Sequence, residues 1–204
     1  GDGIADLFEK EFGRRPNVIY NAHDDRIDLT PEKSLRERFS LGREACVVVV
    51  VGQAKPGQDF SGLLGALGRL DALNVAFVGN GYRERISMLD IPDLPADRIH
   101  FVENLPATEV VPLIREADAS LIVYYDRSGN YRNALPNGFF QSIAAELPIL
   151  HGGLPEMSRI CSELGFGFSV APDDRGGMTS ALRRVIEKSD WYVDQKERSR
   201  RAAR

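Results

Sequence analysis

The segment that runs from Asn133 to Gln141 carries residue types that suit the binding of an anion. Pro136 is a favourable first residue for a helix, and a helix N-terminus offers free N–H groups with a partial positive charge. Gly138 would let a ligand approach the backbone closely. Gln141, one helical turn further, has one amide oxygen and one NH₂ group with which to form hydrogen bonds. The alternative for the helix start is an ordinary capped helix, and the alternative for Gln141 is a solvated helix position.

Two other loops contain residues for the same kind of site. Lys55 stands in a glycine-bounded loop, where a cation could bind the same anion. The alternative is an exposed lysine, and Arg132 and Arg127 are further cations more typical of a solvated surface. Gly79 and Gly81 form only a G-x-G, without the full dinucleotide fingerprint. We interpret them as a tight turn whose backbone passes near the ligand.

The histidines and cysteines do not form a metal-binding pattern. His23, His100 and His151 are dispersed in the sequence. His100 lies inside a predicted strand and is interpreted as structural, whereas His151 ends a strand at the predicted ligand-side edge and is a candidate for the site. Cys46 and Cys161 fit no zinc spacing and are interpreted as small buried residues.

Composition excludes several classes of protein. The chain has 204 residues with 43% hydrophobic and 27% charged residues, which is typical of one globular domain or one and a half. A net charge of −4 does not favour a nucleic-acid surface. No apolar stretch is long enough to span a membrane, and no signal peptide is recognised. We therefore expect a cytoplasmic protein, and a chain that begins with Gly1 is expected to be a piece of a longer one.

The elements that must position these residues alternate between two patterns. Short apolar runs predict strands, which are Cys46 to Val51, Asn74 to Val78, Arg98 to Val102, Ala119 to Tyr124, Pro148 to Leu150 and Phe166 to Val170. Helical spacing predicts helices at Asp59 to Leu70, from Tyr82, at Thr108 to Ala117, from Pro136, at Pro155 to Leu164 and from Asp174 to Glu187. Pro112 predicts a kink or a late start in its helix.

This alternation predicts an α/β fold with a doubly wound, parallel, six-stranded sheet. The valine run at 47–51 has no polar alternation, which is typical of a strand buried on both faces. In such sheets ligands bind beyond the carboxyl ends of the strands. The loops to consider are therefore Gly52–Gln58, Gly79–Gly81, Glu103–Ala107, Tyr125–Pro136 and His151–Pro155.

The same loops resemble the C-terminal domain of retaining GT-B glycosyltransferases over about Val18 to Asp174. The segments that carry the resemblance are Val18 to Asn21, Val51 to Gly57, Phe77 to Gly81, Asp97 to Phe101, Ala117 to Leu121, Asn133 to Asn137 and Gln141 to Pro148. They stand for the family patterns V-I-Y-N-G-V-D, V-G-R-x-x-x-x-K-G, I-V-G-D-G, D-R-V-x-F, A-D-x-x-V, A-L-P-N-K and E-x-M-A-x-G-x-P. The first of these would be the strand that enters the domain.

The sequence departs from the family at charged positions. Two glutamates separated by seven residues correspond to Asn133 and Gln141, and the usual arginine of the first loop corresponds to Gln53. Glu146 stands where the family has a glycine. Both glutamates have thus become amides and one cation is lost, so the resemblance leaves the catalytic residues unassigned.

The resemblance implies where a nucleotide sugar would bind. The pyrophosphate would lie at the helix that starts near Pro136, the ribose at Gln141, and the base at the backbone of the Glu103 to Leu105 loop. The implied donor-binding set is Gly52, Gln53, Lys55, Gly79, Gly81, Asn104, Asn133, Leu135, Pro136, Asn137, Gly138 and Gln141. The family generally needs no metal for its chemistry, and no cofactor other than the substrate is implied.

The resemblance also implies an organisation and a function. Residues 1–25 would be a helix and an entry strand from the inter-domain region, 26–188 the nucleotide-sugar-binding domain, and 189–204 a charged tail anchored by Trp191 and Tyr192. The tail is interpreted as a solvated helix end. The alternatives are that it contacts an anionic membrane face or a missing domain.

The implied activity is that of a retaining glycosyltransferase in polysaccharide or glycolipid synthesis. The donor would be a nucleotide diphosphate sugar, and the acceptor glycan or glycolipid would bind a missing N-terminal domain. The isolated fragment would be inactive, and the parent would be cytoplasmic or peripheral to the inner membrane face. Alternatives are a GT-B nucleotide-sugar epimerase, a non-catalytic binding domain with a degenerate site, and an unrelated doubly wound domain.

Overall fold

The computed structural model describes residues 1–24, 26, 28–89, 91, 93–124 and 129–203. Its strands are β1 (Cys46–Val51), β2 (Leu73–Val78), β3 (Ile99–Val102), β4 (Ala119–Ile122), β5 (Ile149–His151) and β6 (Phe168–Ser169). Its α-helices are α1 (Asp2–Phe12), α2 (Leu35–Arg38), α3 (Ser61–Leu67), α4 (Tyr82–Ser87), α5 (Ala107–Ile114), α6 (Gly129–Arg132), α7 (Asn137–Ala144), α8 (Pro155–Leu164), α9 (Arg175–Ile186) and α10 (Asp190–Ala202).

The six strands form one parallel sheet, as the sequence predicts. The strand order is β3-β2-β1-β4-β5-β6, and each neighbouring pair is parallel. Chain connections run in one direction from β1 to β3 and in the other from β4 to β6. The order therefore reverses between β1 and β4, which is the point where ligands bind in doubly wound sheets.

The valine run of β1 is buried from both sides. Val48 and Val50 pack into a core with Leu63 and Leu67 of α3 and with residues of α9. Val47 and Val49 face the opposite core, which α2, α5 and α7 cover. Successive side chains of a strand point to opposite faces, so a strand between two helix layers must be apolar at every position.

Several predicted boundaries differ from the structure. Residues Val18 to Asn21 form no strand: no described segment pairs with them, and Ile19 is 91% exposed. The first turn of α3 begins at Ser61 rather than Asp59, whose carboxylate accepts the Ser61 N–H at 2.7 Å. Pro136 precedes α7 as its N-cap instead of opening it.

Pro112 does not delay its helix, because α5 already begins at Ala107. The proline removes only the hydrogen bond to the Thr108 carbonyl, and Thr108 is exposed, so water can take that bond. The predicted strand ending at Tyr124 stops at Ile122, and Tyr124 forms an isolated bridge with Gln58.

The charged C-terminal segment is a helix anchored as predicted. Trp191 packs edge-on against Phe168 with ring centroids 5.3 Å apart, and the buried Tyr192 donates its hydroxyl to the Asp118 carbonyl at 3.1 Å. Two of its basic side chains are paired within the helix: Arg198 lies 2.7 Å from Asp194, and Arg201 lies 3.3 Å from Glu197. α10 thus packs through one face and presents paired charges on the other.

Candidate functional site

A cavity of about 810 Å³ lies at the carboxyl edge of the sheet, across the β1–β4 reversal. The segments that follow β1, β2, β3 and β4 all contribute to its wall. The fifth predicted loop, His151–Pro155, does not contribute to it. The cavity therefore occupies the position where the strand order predicts a ligand.

Eleven of the twelve residues expected at the site line this cavity. They are Gly52, Gln53, Lys55, Gly79, Asn104, Asn133, Leu135, Pro136, Asn137, Gly138 and Gln141. The twelfth, Gly81, is not part of the lining and instead forms the N-cap of α4. Residues spread from 52 to 141 in the sequence are thus brought together from four loops and one helix.

The N-terminus of α7 opens into the cavity. Its N-cap is Pro136, a residue whose side chain has no oxygen to accept the first N–H groups of the helix. Asn137 is exposed and its amide oxygen accepts a hydrogen bond from Asn21 at 3.0 Å. The helix start is therefore suited to an anionic group that would take the remaining N–H groups.

Packing gives Gly138 a reason to be glycine that the sequence did not predict. A Cβ at this position would lie 2.5 Å from the Val51 carbonyl oxygen, which no real contact permits. The missing side chain lets the first turn of α7 pack onto the end of β1. The close approach fixes the helix N-terminus over the strand that carries the Gly52–Lys55 loop.

A buried hydroxyl pair attaches α7 to β4. Ser142 and Ser120 are both fully buried, and Ser142 Oγ lies 2.6 Å from Ser120 Oγ and 2.6 Å from the Gly138 carbonyl oxygen. A hydroxyl has one proton, so Ser142 donates to Gly138 and accepts from Ser120. This chain of bonds holds the helix whose N-terminus faces the cavity.

We predict that Ser142→Ala lowers the free energy of unfolding by about 1 to 2 kcal/mol, because Ser120 is left as a buried donor without its acceptor. Denaturant unfolding of the single variants and of Ser120→Ala/Ser142→Ala measures the coupling. The double variant should cost less than the sum of the two single ones. Strict additivity would show that the two hydroxyls do not act as a pair.

The loop after β1 is held by a buried amide. Gln58 is 6% exposed; its amide oxygen accepts the Lys55 N–H at 2.9 Å, and its amide nitrogen lies 3.3 Å from the Tyr82 hydroxyl. Burial raises the pKa of Tyr82, so this phenol stays neutral. The backbone at Lys55 is therefore fixed while its exposed side chain is free to turn toward a ligand in the cavity.

The turns after β1 and β2 touch each other through glycine. Gly79 has a φ of 137°, and a Cβ there would lie 1.5 Å from the Gly52 carbonyl oxygen. The turn after β3 is joined to the turn after β2 by a reciprocal amide pair. The Asn80 amide oxygen accepts the Asn104 N–H at 2.8 Å, and its amide nitrogen donates to Asn104 Oδ1 at 3.2 Å.

Two tyrosines form the wall on the β4 side. The rings of Tyr124 and Tyr131 have centroids 5.6 Å apart, with their planes tilted by 32°. Tyr131 donates its hydroxyl to the Pro56 carbonyl, and its ring covers Gly57. Burial raises the pKa of Tyr124, so this phenol remains uncharged beside the cavity at neutral pH.

Helix α1 supplies a wall that the sequence did not predict. Gly1 and Ile4 line the cavity, and Gly3 lies against the side chain of Asn133. The helix start is bound to α8, because the Asp2 N–H donates to the buried carboxylate of Glu156 at 2.8 Å. No local pattern gives this contact, which joins residues about 130 to 150 positions apart in the chain.

Of the three cations considered for the site, only Lys55 is found in the cavity lining that the structure describes. Lys55 is the only Lys or Arg among the described residues that line the cavity, and no Asp or Glu is among them. Arg132 is exposed outside the lining, and Arg127 lies outside the described residues. Glu103 is exposed and pairs with Arg83 at 3.4 Å. Among the described lining residues, the side-chain charge that faces the cavity is thus positive.

His151, the histidine predicted as a candidate for the site, does not line the cavity. His151 is 2% exposed in the core below the loops, and its Nδ1 accepts the Gly153 N–H at 3.2 Å. Burial lowers its pKa to about 4, because the charged imidazolium would be desolvated. His100 is half-buried, stacks on Phe39 at 4.5 Å and contacts Asn74, as its structural interpretation requires.

His151 should make the fold sensitive to acid. Since its folded pKa lies below its unfolded value of 6.5, the unfolded chain binds the extra proton first as pH falls. The stability is complete above about pH 6.5 and falls toward pH 4, by about 3 kcal/mol for this group.

Unfolding free energies measured from pH 7.5 to 4 for the natural chain and for His151→Asn test this prediction. Asparagine retains an acceptor near the position of Nδ1 but does not titrate. The difference between the two curves should change by about 3 kcal/mol between pH 7.5 and pH 4, because only the natural chain takes up a proton at this position on unfolding. Parallel curves would contradict a buried neutral imidazole.

The described part of the chain shows neither a metal cluster nor a membrane-spanning helix. Within the described residues there is no group of three or more His, Cys, Asp or Glu side chains arranged to hold a metal ion. The described helices include none with the length and hydropathy of a membrane span. Cys46 and Cys161 are free and buried, as predicted.

The fold is that of GT-B glycosyltransferases. WaaG, a glycosyltransferase involved in lipopolysaccharide biosynthesis, aligns with a TM-score of 0.71 and 17% identity over 98% of this chain and 55% of WaaG. Sucrose-phosphate synthase from Thermosynechococcus elongatus aligns with a TM-score of 0.70 and 16% identity over 97% of this chain and 51% of the synthase.

A UDP-forming α,α-trehalose-phosphate synthase from Burkholderia xenovorans aligns with a TM-score of 0.59 and 14% identity, over 82% of this chain and 40% of that one. The chain thus spans about half the length of these enzymes or less. No family model matches the sequence, and no curated protein sequence matches it. With sequence identities of 14% to 17%, the structural similarity establishes the fold.

Proposed function

We propose that this chain is the donor-binding domain of a glycosyltransferase and that its cavity binds a nucleoside diphosphate sugar. The observation that carries the proposal is the convergence of the α7 N-terminus, Lys55 and Gln141 on one cavity at the strand-order reversal. The fold of GT-B glycosyltransferases supports the assignment of class.

The diphosphate is assigned to the middle of the cavity. There the first turn of α7 lies over the end of β1, and the fixed Lys55 backbone stands beside it. Helix N–H groups and one ammonium provide donors for phosphate oxygens, and the absence of carboxylates from the described lining removes repulsion. Bound in this way, the diphosphate would be stabilised as a leaving group.

The nucleoside is assigned to the β3 side. Leu105 and Val110 provide an apolar wall for the faces of a base, and Gln141 provides both a donor and an acceptor for ribose hydroxyls. An amide makes weaker bonds to a diol than a carboxylate does. We therefore expect modest affinity in the isolated domain.

The complete reaction is proposed for a longer protein. In it a second domain would bind the acceptor, a glycan or glycolipid at the cytoplasmic side, and the sugar would be transferred with retention of configuration for polysaccharide synthesis. The isolated chain should bind the donor without transferring its sugar. Sugar transfer by this chain alone would refute that part of the proposal.

Calorimetric titration of the chain with UDP, GDP and ADP, without added metal, tests donor binding. UDP is the first choice, because one similar enzyme is described as UDP-forming. One nucleotide should bind at micromolar to millimolar concentration, and none binding would contradict the proposal.

Gln141→Ala supplies the residue-specific arm of this titration. Removing the amide should lower the affinity for the nucleotide about tenfold. It should also abolish any preference for the ribonucleotide over its 2′-deoxy form. Asn17→Ala, an exposed amide outside the cavity lining, is the control and should leave binding unchanged. A preference for ribose that survives in Gln141→Ala would remove Gln141 from the ribose site.

A further inference from the structure

The loops of the cavity follow one another along the sheet edge in a fixed order. Because the strand order is β3-β2-β1-β4, Leu105 and Val110 lie at one end, Asn80 and Lys55 lie between, and Tyr131 lies at the other. Three strand spacings separate the ends, a distance of roughly 14 Å. The cavity is therefore long enough to hold several groups in a row.

The parts of a nucleoside diphosphate sugar also follow one another in a fixed order, which is base, ribose, diphosphate and sugar. The proposed function, on which this inference rests, assigns the base to the β3 end and the diphosphate to the middle. The sugar must then lie at the β4 end, against Tyr124 and Tyr131.

We propose that the rings of Tyr124 and Tyr131 form an aromatic platform on which the transferred sugar, a pyranose, stacks. A pyranose presents a face of C–H bonds with partial positive charge, and the face of an aromatic ring is negative, so the two attract. Both tyrosines line the cavity, with ring centroids 5.6 Å apart and ring planes tilted by 32°.

The platform is built to be rigid. The Tyr131 hydroxyl bonds to the Pro56 carbonyl, its ring rests on Gly57, and Tyr124 is bridged to the buried Gln58. A ring that is already ordered loses little entropy when a ligand packs on it. Tyr131 is therefore a specificity residue for the sugar, distinct from the groups that bind the nucleotide.

The test compares each nucleotide with its sugar conjugate: UDP with UDP-glucose, GDP with GDP-mannose and ADP with ADP-glucose. In the natural chain we expect one conjugate to bind about fivefold to tenfold more tightly than its nucleotide. Tyr131→Leu, which removes the ring but keeps apolar volume, should reduce that ratio to about one. Tyr131→Phe, which keeps the ring, should retain it.

Phe12→Leu, an exposed aromatic of α1 outside the cavity lining, is the control and should leave the ratio unchanged. Equal ratios in the natural chain and Tyr131→Leu would overturn the platform while leaving nucleotide binding intact. Loss of the ratio in Tyr131→Phe would assign the effect to the hydroxyl and would also overturn it. Failure of all three nucleotides to bind would refute the proposed function and the platform together.

Discussion

Replacing Gly79 with alanine is expected to destabilise the domain by about 2 to 5 kcal/mol, the largest effect that we predict for a single methyl group. The positive φ of 137° is costly for any residue with a Cβ, by about 1 to 2 kcal/mol. The new methyl group would also overlap the Gly52 carbonyl oxygen, and overpacking typically adds about 1 to 3 kcal/mol. Urea unfolding measures the change.

Two other glycines separate the contributions. Gly52 has a φ of 121° but open space around a Cβ, so Gly52→Ala tests the backbone strain alone. Gly42 has open space and no positive φ, so Gly42→Ala should be nearly neutral. We expect the loss of stability to rise in the order Gly42, Gly52, Gly79. Equal losses at Gly52 and Gly79 would contradict the close contact between the turns after β1 and β2.

Lys55→Ala should lower the affinity for a nucleoside diphosphate about tenfold or more. A hydrogen bond to a charged group contributes about 1.5 to 3 kcal/mol, and solvent reduces this at an exposed side chain. The loop should keep its shape, because the bond from the Lys55 N–H to Gln58 does not involve the lysine side chain. Calorimetry at two salt concentrations measures both the loss and its electrostatic origin.

The comparison of diphosphate with monophosphate nucleotides makes this test specific. Lys55→Ala should remove most of the advantage of the diphosphate and should reduce the dependence of binding on salt. Lys33→Ala, an exposed lysine outside the cavity, serves as the charge-matched control. If both variants weakened binding equally, the effect would be one of net charge, and the assignment of Lys55 would be wrong.

Local patterns were sufficient to predict the class of fold. The unbroken valines of β1 required a strand between two layers, and Pro155 opens α8 at the predicted residue. They also predicted the loops at the ligand edge, since parallel strands with helical crossovers end at one side. Whether these loops bind a donor remains a prediction.

Long-range packing produced the features that the sequence did not reveal. The contact between Gly138 and Val51 and that between Gly79 and Gly52 depend on how neighbouring elements approach. The α1 wall and the bond from the Asp2 N–H to Glu156 join distant parts of the chain. His151 ends a strand as expected, but its side chain is buried in the core. A strand of only three residues gives no pattern from which to predict which way its last side chain points.

The central claim is that the cavity at the carboxyl edge binds a nucleoside diphosphate, and amide chemical shifts measured by NMR during nucleotide titration test both the binding and its place. We predict saturable shifts at Gly52, Gly79, Asn104 and Gly138, with the largest at the first turn of α7. The second cavity, between α3, α4 and Arg175, should not respond. No saturable shift with UDP, GDP or ADP, or shifts confined to the Arg175 surface, would contradict the account.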